Sequence, residues 1–320
     1  LLYKILKIWI SISAKIFCRR IIINKPELLK IKGPVLLAAN HPNSFLDAVL
    51  LDILFDQPIW SLARGDVFKT PFYSGILTRL KILPVYRTSE GVENLSANYE
   101  TFNACKSIFR NNGLVLMFCE GKCVNEWHLR PLKKGTARLA VSSWKDEIEL
   151  HILPVGINYS SFRRFGKNIW LNFGSLIKKE DVDMNLSDGL QFLSFNDRLQ
   201  NELQKLVFEM NKEDKSAREK RLTVKNGIIK KSLLAIPAMA GFVLHLPLYL
   251  PLRYFTDSKT QDNDHFDSII FTLLSLFYPF YLAAFIIIFY FISGTWLSAF
   301  LVLLYPFTAW AFVQIKKQLD

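Results

Sequence analysis

Near the start of the chain, Asn40-His41-Pro42-Asn43-Ser44-Phe45-Leu46-Asp47 places an imidazole and a carboxylate six positions apart. The segment follows a run of small and branched apolar residues and precedes an apolar helical pattern, so His41 falls in a strand-to-helix loop. Asn43 or Ser44 is suited to cap the helix, which sets Asp47 on its first turns, within reach of the imidazole. A histidine held by a carboxylate is the usual construction of a general base, because the acid fixes the tautomer and stabilises the imidazolium that forms. The plainer alternative is that His41 caps or packs and Asp47 faces the helix dipole. The remaining histidines, His128, His151, His245 and His265, show no metal-ligand spacing.

Positioning such a pair requires a framework. Val35 to Ala39, Ile82 to Val85, Leu114 to Cys119, Ile152 to Asn158 and Ile169 to Phe173 read as strands. Helical patterns at Phe45 to Phe55, Ser96 to Phe109 and Lys134 to Trp144 lie between them, which implies an α/β fold with a mixed or largely parallel sheet flanked by helices. Chemistry in such folds gathers in loops at strand ends.

Around this head the composition is that of a membrane protein. The 320 residues are 51% hydrophobic and 14% aromatic. The apolar excess lies after Leu233, in three segments: Ser232 to Leu252, Ile269 to Ile292 and Trp296 to Val313. The last two have the length of spanning helices joined by a tight turn. Pro237, Pro247 and Pro251 interrupt the first, which reads as a kinked, re-entrant or interfacial piece beside a two-helix hairpin. Residues Leu1 to Ile23 carry Lys4, Lys7, Lys15 and Arg19 at helical spacing, the pattern of an amphipathic helix on a membrane surface rather than a cleaved secretory signal. The opening Leu1 leaves an earlier start or a trimmed end open. These boundaries give a surface helix at 1–29, a catalytic domain at 30–211, a basic linker at 212–231 and a membrane region at 232–320.

Forty Lys and Arg against 28 Asp and Glu give a net charge of +12. Beside inserted segments this favours anionic lipid headgroups and phosphorylated substrates, and nucleic acid is not expected as a partner. Cys18, Cys105, Cys119 and Cys123 form neither a disulfide framework nor a four-ligand zinc site, which points to a reducing, cytoplasmic side for the head. No G-x-S-x-G elbow is present to expose a nucleophilic serine.

Further blocks follow in a fixed order, and together they resemble the glycerolipid acyltransferase family over about residues 30 to 175. Beside NHPNSFLDA stand KTPFYSGILTRLKILPVYR ending in Arg87, FCEGK with Glu120 and Gly121 at its centre, PLKKGTARLA from Pro131, and ILPVGIN around Pro154. The resemblance makes His41 the catalytic base and Asp47 its orienting acid. It assigns Arg87, Glu120 and Gly121 to the acceptor's glycerol phosphate and Pro154 to an acyl-binding wall. Five residues separate His41 from Asp47, where the commonest family pattern has four. Lys122 and Cys123 stand where that pattern has Thr or Ser and then Arg, leaving Lys122, Arg130 and Lys133 as candidates for the phosphate, or a different acceptor.

The implied reaction moves a fatty acyl group from acyl-CoA or acyl-carrier protein to a hydroxyl of glycerol 3-phosphate or a lysophospholipid such as lysophosphatidate. It needs no cofactor and no metal, since the thioester is already activated. Backbone N–H groups near Asn43 to Phe45 are the expected oxyanion donors, which puts Asn43 among the substrate-binding residues. The competing expectation is a non-catalytic membrane lipid-binding or scaffold protein that retains the fold.

Overall fold

The computed structural model describes residues 2–86 and 95–319, with side chains left out at 95–97. Its centre is a seven-stranded sheet in the order β1-β7-β6-β2-β5-β3-β4, built from β1 (Cys18–Ile23), β2 (Val35–Ala39), β3 (Ile59–Arg64), β4 (Ile82–Val85), β5 (Leu114–Phe118), β6 (His151–Tyr159) and β7 (Lys167–Phe173). The five strands from β6 to β4 run parallel, whereas β7 is antiparallel to β6 and β1 follows β7. The sheet is therefore mixed, as the alternation of strands and helices implies.

β2 sits in the middle, and all five of its residues are buried. That is why VLLAA lacks the polar alternation of a half-exposed strand. Val35, Leu37 and Ala39 face a layer containing α1 (Leu2–Phe17), α2 (Phe45–Leu54) and the start of α9 (Phe266–Ser293). Leu36 and Ala38 face α4 (Leu95–Arg110), α5 (Lys134–Lys145) and α6 (Asp188–Leu206). A short α3 (Pro71–Arg79) and α7 (Lys215–Leu222) complete the head.

Two elements differ from the sequence expectation. The N-terminal helix ends at Phe17, and CRRIII continues as edge strand β1 beside β7. Its basic residues keep the helical spacing, but the β-branched run Ile21 to Ile23 favours a pleated surface. IWSLAR, not anticipated as a strand, forms β3 between β5 and β4.

The C-terminal region consists of α8 (Ile228–Lys259), α9 and α10 (Leu301–Ile315), the last preceded by a 3-10 turn from Trp296. All three are long and apolar enough to cross a membrane. The first apolar segment lies within one continuous helix that contains Pro237, Pro247 and Pro251. Both of its ends lie against the head. Lys230 donates to the Gln314 side chain (2.8 Å), which in turn donates to the Arg19 carbonyl, while Asp257 near the other end pairs with Arg163 (2.9 Å). Between these points Leu244 and His245 meet Tyr281 and Tyr278 of α9.

Candidate active site

Three adjacent parallel strands deliver the site from their carboxyl ends. β2 leads into His41, β5 into Glu120, and β6 ends on Tyr159. Asn40 ties the end of β2 to β6 by a reciprocal pair of bonds with the Ile157 backbone, at 3.0 and 2.7 Å.

His41 Nδ1 lies 2.9 Å from Asp47 Oδ2. Asp47 is fully buried on the first turn of α2, and His41 keeps 17% of its side-chain surface open. The same Asp47 oxygen accepts the Asn43 backbone N–H at 2.8 Å, and Oδ1 accepts the Tyr159 hydroxyl at 2.7 Å. With Asp47 accepting from Nδ1–H, the lone pair of Nε2 is left to take a proton. The imidazole also stacks on Phe118, with ring centroids 3.7 Å apart and planes 9° from parallel. Carboxylate and ring together fix its orientation.

Glu120 is placed to shape the loop. Its two oxygens accept the backbone N–H groups of His41 (2.7 Å) and Arg130 (2.8 Å), so one buried carboxylate brackets two loops. Burial pushes its pKa up, against the opposing pull of those two backbone bonds and of the Arg130 charge. Gly121 follows with φ of +67°, and a Cβ there would come 3.0 Å from the Lys133 side chain, so glycine suits this turn. Lys122 and Lys133 are exposed beside it, and Arg130 is half-buried.

Asn43 is fully buried, and its side-chain amide donates to Asp267 Oδ2 at 2.7 Å. Asp267 belongs to the first turn of α9 and forms an ion pair with Lys167, both side chains wholly buried. Ser268 Oγ accepts the Leu46 N–H and donates to the Asn43 carbonyl, at 3.1 and 3.3 Å. Ser44 stands at the N-cap position with φ of +53° but makes no side-chain cap; its hydroxyl meets His265 at 2.7 Å. The loop carrying His41 is thereby fastened to the beginning of a membrane helix.

The expected oxyanion donors are partly committed elsewhere. Asn43 N–H goes to Asp47, and Ser44 N–H goes to Cys123 Sγ at 2.9 Å. Pro154 is buried in β6 beside Gly174, on the sheet face covered by α6, away from the α2 and α9 layer. Arg87 lies outside the described residues; β4, which precedes it, is three strands from β2. Cys119 is fully buried, and burial pushes its thiol up to about 12, which suits packing rather than nucleophilic attack. Sequence reasoning passed over Tyr159, Lys167, Asp267 and Phe118. Of these, only Phe118 had a local signal, as the residue preceding Cys119 and Glu120 at a strand end.

Fold and site together define a membrane-attached α/β protein with a carboxylate-held histidine at the carboxyl edge of its sheet. Residues 20–158 match the family model described as Acyltransferase, and this segment is an acyltransferase-family domain. Among solved structures, the chain is similar to the 1-acyl-sn-glycerophosphate (LPA) acyltransferase PlsC from Thermotoga maritima. That likeness has 14% identity and a TM-score of 0.47, covering 69% of this chain and 81% of that one. No curated protein matched the chain in sequence.

Proposed function

We propose that this protein transfers a fatty acyl group from acyl-CoA or acyl-carrier protein to a hydroxyl of glycerol 3-phosphate or a lysophospholipid such as lysophosphatidate, at the cytoplasmic face of a membrane. The observation that carries the reading is the 2.9 Å contact between His41 and buried Asp47 inside the acyltransferase-family segment.

His41 Nε2 takes the proton of the acceptor hydroxyl as that oxygen attacks the thioester carbonyl. The tetrahedral intermediate collapses, the carbon–sulfur bond breaks, and the departing sulfur recovers the proton from the imidazolium. The products are an ester and a free carrier thiol. Asp47, held by Tyr159 and Asn43, keeps the ring in place while its charge changes. Arg87, with Lys122, Arg130 or Lys133, holds the acceptor phosphate by charge-assisted bonds and so selects the hydroxyl that reacts.

The test supplies purified protein in lipid with labelled acyl-CoA or acyl-carrier protein and a panel of acceptors, comparing the parent with His41→Ala. A general base contributes roughly 100- to 10,000-fold, so His41→Ala should lose at least 100-fold in kcat. Equal transfer by both proteins removes His41 from the mechanism. A folded parent that acylates no acceptor leaves a lipid-binding scaffold as the better description.

A further inference from the structure

Beside the His41 loop lies an open groove of about 400 Å³, lined by Ser44 and Phe45 where α2 begins, by His265 just before α9, and by Ile269, Thr272 and Leu273 on α9. This falls within the roughly 300–1,000 Å³ range of small-ligand pockets. Its lining is graded. The Ser44 hydroxyl and the His265 imidazole mark a polar end three residues along the chain from His41, and Phe45, Ile269 and Leu273 make the rest apolar.

The α9 wall does not stop at the groove. Ile269, Thr272 and Leu273 are followed at helical spacing by Leu276 and Phe280, both exposed, on a helix long and apolar enough to cross a membrane. The apolar end of the groove therefore runs out onto an exposed apolar stripe of α9.

Resting on the acyl-transfer reading above, we propose that this groove takes the hydrocarbon chain of a bilayer-resident lysolipid acceptor, with α9 as one wall of the acceptor site. The acceptor is the better occupant than the donor chain, because the donor's thiol is carried by a large polar group that approaches from water, whereas the groove opens onto that apolar stripe. The acceptor's hydroxyl end then emerges by Ser44, at the loop whose base is His41. The first turns of α9 do two jobs: they hold the loop through Asp267 and Ser268, and they guide the substrate through the next two turns.

The experiment fills the groove. Leu273→Trp and Thr272→Trp are compared with the parent and with Ile288→Trp, an exposed site on the far half of the same helix. Acceptors are a long-chain lysophosphatidate, a short-chain lysophosphatidate and glycerol 3-phosphate, each with donors of two chain lengths. The expected result is a rise of tenfold or more in KM for the long-chain acceptor in both groove variants. The short-chain acceptor, the donor-length dependence and Ile288→Trp should match the parent.

A loss that follows donor length overturns the proposal in favour of a donor groove. Equal losses on all acceptors, no change, or a parent that uses glycerol 3-phosphate alone also overturn it while leaving acyl transfer intact. As a second measurement that needs no variant, a lysophosphatidate carrying a diazirine at the chain terminus is photolysed with the parent in phosphatidylglycerol vesicles. Cross-links at Phe45 or at 269–276 are expected; cross-links confined to other helices defeat the assignment. A parent that labels in the groove but transfers no acyl group sinks the enzymatic reading alone.

Discussion

At the scale of single residues, the His41–Asp47 contact could be read from a short stretch, because six positions across a strand-to-helix turn bring two side chains onto one loop and its helix. Tyr159 could not be found that way. It lies 112 residues from Asp47, and nothing in ILPVGINY marks which side chain ends on the site face of β6. Its hydroxyl is one of the groups aimed at a fully buried carboxylate. A hydrogen bond to such a group contributes about 1.5–3 kcal/mol to stability. Tyr159→Phe should thus lower Tm by a corresponding amount, and should also lower kcat with KM for the acyl donor little changed, because Asp47 loses one of the bonds that hold it under the imidazole. A kcat equal to the parent's would mean that Asp47 needs no third hold. Glu120 carries a complementary lesson: the Glu-Gly pair stood out in the sequence as an acceptor contact, yet both carboxylate oxygens are occupied by backbone N–H groups. Gly121→Ala, at φ of +67°, should cost about 1–2 kcal/mol, read as a lowered Tm.

At the scale of elements, β2, β5 and β6 were legible because central strands are buried on both faces and show unbroken apolar runs. β1 and β3 were not, since CRRIII prolongs a basic helical spacing and IWSLAR mixes polar residues into a short segment. The joint between head and membrane region was hidden altogether. Lys167 begins β7, Asp267 begins α9, and 100 residues separate them, so no periodicity relates the two. Removing one partner of a buried pair typically costs about 3–5 kcal/mol, because the other charge is left uncompensated. Asp267→Ala should therefore be strongly destabilised and should also free Asn43. Lys167→Met combined with Asp267→Leu should recover much of the loss, since well-packed apolar substitutes can replace such a pair. Thermal unfolding in detergent of the two single variants and the double checks this; a double variant as unstable as the sum of the singles would show that the charges do not act as a pair.

At the scale of the whole molecule, the bonds at helix ends decide how the chain sits in a bilayer. α9 starts against the head through Asp267 and Ser268, and α10 finishes against it, where Gln318 bonds to Asn168 and Val224. Their shared turn at Gly294 lies at the other end of two apolar helices. α8 touches the head near both of its own ends, although it is one continuous helix long and apolar enough to cross a membrane. If only α9 and α10 cross, the head and the C-terminal lysines share one side, which would satisfy the preference of basic residues for the cytoplasmic side. The prediction is that Lys220→Cys and Lys317→Cys label from the same side of sealed vesicles with an impermeant maleimide, and Thr295→Cys from the opposite side. A Cys123→Ser background suits the assay, because Cys18, Cys105 and Cys119 are buried and burial pushes their thiols up to about 12, well above the thiolate range at neutral pH. If α8 crossed as a third span, positions 220 and 317 would label from opposite sides. The basic linker and the head's functional edge could not then share one membrane surface with the chain's end.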